Sequence, residues 1–263
     1  MRELERLTDT PVAPRPLVGI VGRGRLGPLL CAGLRSAGLD ASAPLGRDAD
    51  LAPYRIVILC VPDDQIAAAA ARIAPGPLVG HCSGATGLGV LAPHEAFGLH
   101  PLMTVTLRDT PDRLHGAGAA VGGSTPRAHR VAGELAEVLG MRPFALSDEQ
   151  RAAYHAAAAI ASNFLVTLEA AAETVGSGTG LDRNLLAPLV RATVENWAAL
   201  GPVDALTGPV ARGDELTVRA QRSAVAQRAP QLVGLFDALV GATRDLAAAG
   251  HGTVAGQAAA VTA

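Results

Sequence analysis

The stretch that decides the fold is "LVGIVGRGRLGPLLCAGLRSAG", Leu17 to Gly38. It reads as a short apolar strand, a glycine turn and an apolar helix. Gly22, Gly24 and Gly27 follow the spacing G-x-G-x-x-G. In such a turn the first glycine allows the tight bend. The second lets the backbone approach a pyrophosphate, and the third packs helix against strand. A helix beginning at Arg25 and Leu26 would aim its free amide groups and the positive end of its dipole at the phosphates. The motif is unspecific alone, but here a strand precedes it and a helix follows, the context a dinucleotide site needs.

Working outward, the same alternation continues through the first half of the chain. Leu17–Val21, Ile56–Val61, Pro77–His81, Phe97–Leu99, Ala119–Gly122 and a run near Arg142–Leu146 read as strands. Leu26–Ala37, Asp64–Ile73 and Pro126–Leu139 read as the helical or loop segments between them. This predicts an α/β domain with a doubly wound parallel sheet of Rossmann type. The continuously apolar runs "LVGIV" and "RIVILCV" suit strands covered on both faces. After Ser147 the alternation stops. Asp148 to about Val175 is alanine-rich and helical, and Asp182 is placed to cap a helix through about Ala199. Glu215–Arg228 and Pro230–Ala249 are also helical. The expected organisation is a dinucleotide-binding domain over residues 1–147, with a loose leader over 1–15. An all-helical domain over 148–263 follows, with a loose tail over 250–263.

Composition narrows the function. With 263 residues, 49% of them hydrophobic, the chain can build a substantial core. A net charge of −2 and 3% aromatic residues argue against nucleic acid, which calls for a basic stripe with stacking aromatics. Cys31, Cys60 and Cys82 are scattered without CxxC spacing, which suggests reduced thiols in a cytoplasm. No apolar stretch reads as long and clean enough to span a bilayer, so no membrane is expected. The N-terminal residues do not form a signal peptide. All 22 basic residues are arginine. Whatever chemistry the chain performs, no lysine takes part in it.

The second strand should end about 20 residues beyond the turn, where an acid would bind the ribose of NAD. Ala43–Gly46 carries no acid, and Arg47 comes next. An arginine there can hold the 2′-phosphate of NADP, so NADP is the expected cofactor. Asp48 or Asp50 would reach the ribose instead if the strand ended later. Val61 and Pro62 close the strand "RIVILCVP" and should lie beside the cofactor. Asp63 and Asp64 read as a cap and dipole partner rather than as metal ligands, so no metal is expected. In "HCSGATG", Ser83 lies outside G-x-S-x-G, which argues against a hydrolase elbow. Ser83 and Gly84 fit better as small residues beside a nicotinamide or substrate.

"GIVGRGRLG", "VPDDQI", "HCSGA", "LHPLMT", "YHAAAAIASN" and "TGPVARGDELTV" occur in this order. Together, over roughly residues 15 to 245, they resemble the Rossmann-like proteins with a C-terminal domain of unknown function, the DUF2520 type. These are relatives of pyrroline-carboxylate reductase and ketopantoate reductase. The resemblance implies a helical second domain like that of 6-phosphogluconate dehydrogenase, NADP use, and a homodimer formed through those helices. It also exposes a departure. Ketopantoate reductases and the related hydroxyacid dehydrogenases use a lysine with an asparagine one helical turn on. Here Asn163 is present but Ala159 stands in the lysine's place.

A ketone needs a general acid as the alkoxide forms. His155 is the expected donor: it shares a helical face with Asn163, with Ser162 close by. His100, in "LHPLMT", is the rival. In "TGPVARGDELT", Thr207, Arg212 and Asp214 are candidates to clamp a substrate carboxylate, or Arg212 and Asp214 simply stiffen the turn. The expected activity is NADPH-dependent reduction of a small carboxylate-bearing substrate, first a 2-keto acid such as ketopantoate. Imine reduction is the alternative, since an iminium already carries its proton. A non-catalytic NADP-binding regulator is the third reading.

Overall fold

The computed structural model describes the backbone of residues 18–261 and side chains through residue 250. The expected leader, Leu17 and the side chain of His251 lie outside the described residues. The chain divides into two compact units, the first ending at Ser162 and the second beginning at Asn163.

The first unit is a six-stranded sheet in the order β1 (Val18–Val21), β2 (Ile56–Leu59), β3 (Leu78–His81), β4 (Ala96–Leu102), β5 (Gly118–Gly123) and β6 (Arg142–Ala145). β1 to β4 are parallel, with Val21 level with Leu59, Leu59 with His81, and His81 with Gly98. On the far side of β1, Ala41 and Leu45 make single parallel bridges to Val18 and Val21. The chain therefore leaves β1 through α1 (Leu26–Ser36) to one side and continues to β2 on the other. That reversal is the topological switch point beside which ligands bind in open α/β sheets.

The sheet differs from the expected all-parallel one at its far end. β5 is antiparallel to β4. The connection between them, residues 103–117, contains only a short 3₁₀ turn at Pro111–Leu114, and an antiparallel return needs no crossover helix. β6 is parallel to β5 after the crossover helix α3 (Pro126–Val138).

Apolar side chains cover both faces of the sheet. Leu30, Leu34, Phe97, Leu99, Leu114, Val131 and Leu135 form one cluster. Val57, Leu59, Ile66, Val79 and Leu91 form the other, with Ile66 coming from the short helix α2 (Ile66–Ala70). β1 and β2 carry no polar side chain and are buried throughout, because neither face of these strands meets water.

After β6, α4 (Arg151–Ala159) runs through a π turn at Ile160–Phe164 into α5 (Leu165–Gly176). Composition changes at Ser147, but α4 stays with the sheet unit because Arg151 is buried there, 4% exposed. Asp148–Gly176 is one helical stretch of 29 residues, long and apolar enough to cross a membrane by length and composition. The expectation that no stretch reaches that length is corrected: its many alanines, joined by Ile160, Phe164, Leu165, Val166 and Leu168, raise its hydropathy.

The second unit is helical. It comprises α5, α6 (Arg183–Asp204), α7 (Glu215–Arg228) and α8 (Val233–Val261). Asp182 caps α6, its side chain accepting from the Leu185 amide. α6 is broken at Gly201, whose φ is +80°, close to the expected end at Ala199. α8 carries on through Val261, where a loose tail was expected. Alanine is the best helix former, and no proline interrupts the segment.

Candidate functional site

The glycine turn joins β1 to α1 at the carboxyl edge of the sheet. Gly22 has φ +126°, and a Cβ there would stand 2.1 Å from the Cys60 carbonyl oxygen. A Cβ on Gly27 would stand 2.1 Å from the carbonyl oxygen of Gly22. Both positions are thus closed to any side chain. Gly24 is different: a Cβ there would meet nothing within 4 Å. The middle glycine opens onto free space, as the approach of a pyrophosphate requires. Arg25 precedes the first turn of α1 without a side-chain cap, and that turn, starting at Leu26, holds no acid. Its amides remain available to an anion.

A cleft of about 720 Å³ opens beside this turn. Gly22, Gly24, Arg47, Val61 and Pro62 line it, together with Arg23 and Arg72. The Arg47 guanidinium donates to the Gln65 side chain at 3.2 Å. Asp48 is engaged by Arg72 at 2.6 Å, and the Asp50 carboxylate accepts from the Ala52 amide at 3.0 Å. Neither acid that competed with Arg47 for the ribose is free. The volume, the open Gly24 and the uncapped helix start fit a dinucleotide.

Further along the same edge stands a polar cluster that sequence reasoning largely missed. Ser83 follows β3. Its hydroxyl donates to Asp63 at 2.7 Å and accepts from the Ala85 and Thr86 amides at 3.2 and 2.9 Å. Asp63 therefore caps no helix, contrary to expectation; its carboxylate serves Ser83, since the turn it begins has no side-chain cap. The Ser83 amide donates to the fully buried His81 at 3.2 Å. Burial, then the Arg151 charge, lowers the His81 pKa.

Arg151 reaches into this cluster from α4. It donates to the Ser83 carbonyl at 3.3 Å and to Asp148 at 2.7 Å. Asp148 also accepts from the Leu88 amide at 2.9 Å. Burial alone would raise the Asp148 pKa; the bonds from Arg151 and Leu88 outweigh it and hold the carboxyl below its usual range. One turn of α4 carries Arg151 and Tyr154 together. The Tyr154 hydroxyl and His100 Nδ1 share a hydrogen bond of 2.5 Å, with their rings edge-on at 5.5 Å. Burial, then the charges of His155 and Arg151, pushes the His100 pKa down to about 4. Burial pushes the Tyr154 phenol up to about 12. Gly84 makes room for this pair: a Cβ on it would lie 3.0 Å from the His100 ring.

His100, Ser83 and Gly84 are thus brought together. His155 is exposed on α4, beside Tyr154 in sequence, and bears on His100 through its charge. Asn163 lies in the π turn, the kind of helix irregularity frequent at functional sites, and is exposed. Ser162 spends its hydroxyl on the Ala158 carbonyl at 2.8 Å. In the second unit Thr207 and Arg212 are exposed. Asp214 caps α7, accepting from the amide and hydroxyl of Thr217 at 3.1 and 2.6 Å. Its pKa is lowered first by the Thr217 hydroxyl, and Arg212 contributes only through charge. Asp214 is therefore a capping residue, and Arg212 is left with a free-standing approach to solvent. Among the described residues no group of three or more metal-ligating side chains is present.

The parallel edge, its switch point and the glycine turn define a Rossmann-type protein. It carries a DUF2520 domain: residues 118–243 match the family described as "Domain of unknown function (DUF2520)". Among curated proteins none matches the sequence. Solved structures of the same fold include a Bacteroides fragilis protein provisionally named an NADP oxidoreductase, at 20% identity and TM-score 0.75, covering 88% of this chain and 98% of that one. A Thermotoga maritima protein has 24% identity and TM-score 0.73, over 89% of this chain and 100% of its own. A reductive aminase of Aspergillus terreus, in complex with NADPH and ethyl levulinate, has 16% identity and TM-score 0.62, over 89% and 98%.

Proposed function

We propose that the protein is an NADPH-dependent reductase of a small C=O or C=N compound. The observation that carries this is the open Gly24 facing an arginine-lined cleft at the switch point. Gly22, Gly24, Arg25, Leu26 and Gly27 would hold the pyrophosphate, and Arg23 and Arg47 the 2′-phosphate. Val61, Pro62, Ser83 and Gly84 continue along the edge toward the reactive end. Bound NADPH would supply the hydride. The names of solved structures sharing the fold support this reading, since they include NADPH- or NADP-bound reductases.

The carbonyl reading, a small 2-keto acid, is favoured by the hydroxyl of Tyr154, a donor beside His100 at the carboxyl edge. The imine reading has its own support. No lysine stands in the chain, and Ala159 takes the expected place. The reductive aminase and the pyrroline-carboxylate reductases that share the fold act on such substrates by name. By composition of its helices the protein is also proposed to be a homodimer through its second unit.

The test is direct. Quenching of protein fluorescence should show NADPH binding more tightly than NADH. NADPH absorbance should fall on a panel of 2-keto acids and cyclic imines. A protein that binds neither dinucleotide has another function.

A further inference from the structure

Resting on the reductase reading, the geometry points to Tyr154 as the catalytic acid for carbonyl reduction, with His100 as the residue that positions its hydroxyl. The argument begins with register. His81 pairs with Gly98 across β3 and β4, so the chain leaves β3 at the carboxyl edge beside the part of β4 that carries His100, and a Cβ on Gly84 would lie 3.0 Å from the His100 ring. A dinucleotide whose pyrophosphate lies at Gly22 and whose body passes Val61 and Pro62 has its reactive end near Ser83 and Gly84. The Tyr154 hydroxyl is 2.5 Å from His100 Nδ1, beside Gly84, whose missing Cβ leaves the imidazole its place. Two anchors hold the phenol there. Arg151, one turn earlier, ties α4 to Ser83 and Asp148, and Phe144 stacks edge-on against the ring at 5.9 Å.

The proton balance is simple. As hydride forms the new bond to the carbonyl carbon, the C=O π pair moves onto oxygen. The Tyr154 O–H bond breaks and its proton joins that oxygen, giving the alcohol. The tyrosinate left behind accepts from His100 Nδ1–H and regains a proton from water. His100 must stay neutral and carry its proton on Nδ1. Burial, with the positive charges around it, keeps the ring neutral. A phenol held near 12 is still acidic enough to protonate an alkoxide. His155, exposed beside Tyr154, is not needed as donor in this arrangement.

The experiment uses the full chain. NADPH binding is measured first, by fluorescence, for wild type, Tyr154→Phe, His100→Ala and His100→Gln. Wild type that fails to bind NADPH overturns the reductase reading and the proposal with it. Steady-state kinetics follow on ketopantoate, pyruvate and 1-pyrroline-2-carboxylate. Tyr154→Phe should lower kcat on the keto acids by about 10²–10⁴-fold, with NADPH affinity and KM nearly unchanged. His100→Gln, whose amide can still donate to the hydroxyl, should keep more activity than His100→Ala. In the dinucleotide-free protein, ultraviolet titration of the tyrosinate should show Tyr154 ionising at higher pH in His100→Ala than in wild type. Wild-type kcat in Tyr154→Phe overturns the proposal but leaves the reductase reading standing. So does a wild type that reduces only the imine, or none of these probes, while binding NADPH.

Discussion

A Cβ on Gly22 would stand 2.1 Å from the carbonyl oxygen of Cys60, whereas a Cβ on Gly24, two residues later, would meet nothing within 4 Å. The two glycines of one motif thus answer to different demands, the first to the fold and the second to a ligand. Gly22→Ala should destabilise the protein by at least about 1–3 kcal/mol, the usual scale for a strained backbone position, and lower the urea midpoint accordingly. Gly24→Ala should leave the midpoint in place and weaken NADPH at least tenfold. Equal urea midpoints for the two variants would contradict this division.

Cofactor choice should lie with Arg47. Its loss removes a charge-assisted contact of about 1.5–3 kcal/mol from NADPH and leaves NADH nearly untouched. Arg72→Ala should act in the opposite sense on NADH. It releases Asp48, now held at 2.6 Å, so that a carboxylate becomes free to meet a ribose hydroxyl. Titration of both variants with both dinucleotides checks the pair.

Arg151 is a buried cation with an acidic partner. Removing it takes the guanidinium from the Ser83 carbonyl and from Asp148, which keeps the Leu88 amide, and breaking a buried pair costs about 3–5 kcal/mol. Asp148 is 45% exposed, so Arg151→Ala should fall at or below the low end of that range in urea unfolding. Arg151→Lys should recover only part of the loss, because one ammonium cannot reproduce the forked contacts of a guanidinium.

Acid should destabilise the first unit through its histidines. The folded pKa of His100 lies at about 4 against 6.5 unfolded, and that of His81 is also lowered. Between these values the unfolded chain binds protons that the folded chain refuses, so stability falls as pH drops below 6.5. Above 6.5 the two histidines leave stability independent of pH. His100→Gln should flatten the fall in Tm between pH 6.5 and 4. A wild-type Tm that is constant across that window would contradict the assignment.

Assembly is testable on α6. Leu185, Leu189, Trp197 and Leu200 are 62%, 64%, 57% and 56% exposed and recur at helical spacing, a stripe suited to a symmetric partner. Sedimentation should show a dimer, and Leu189→Glu with Trp197→Glu should yield a monomer that keeps its helical content. A wild type that stays monomeric at every concentration would count against the dimer.

Local chemistry made much of the protein legible. Continuous apolar runs located the strands to within a few residues, and the glycine spacing located the turn. Asp182 announced the start of α6 through its side chain alone. The sequence put Arg47 just past an expected strand end, and Arg47 lines the cleft two residues after the bridge at Leu45. The polar cluster was not readable in the same way. Asp63, Ser83, Arg151 and Tyr154 lie on different segments, and nothing in the spacing of "VPDDQI", "HCSGA" and "RAAYHA" says that they meet. Asp63 looked like a cap because a carboxylate at a turn usually is one. Helical periodicity put His155 on one face with Asn163, but periodicity records faces and not burial, and His155 is exposed. By itself the sequence determined the strand–turn–helix unit, the two-part organisation and the absence of lysine, all properties of residues near one another in the chain. Only the tertiary structure decided that Arg151 is buried against Ser83, that His100 and Tyr154 share a hydrogen bond, and that Asp48 is already taken by Arg72. Those contacts arise from strand register and helix docking, which bring together groups that no local pattern relates.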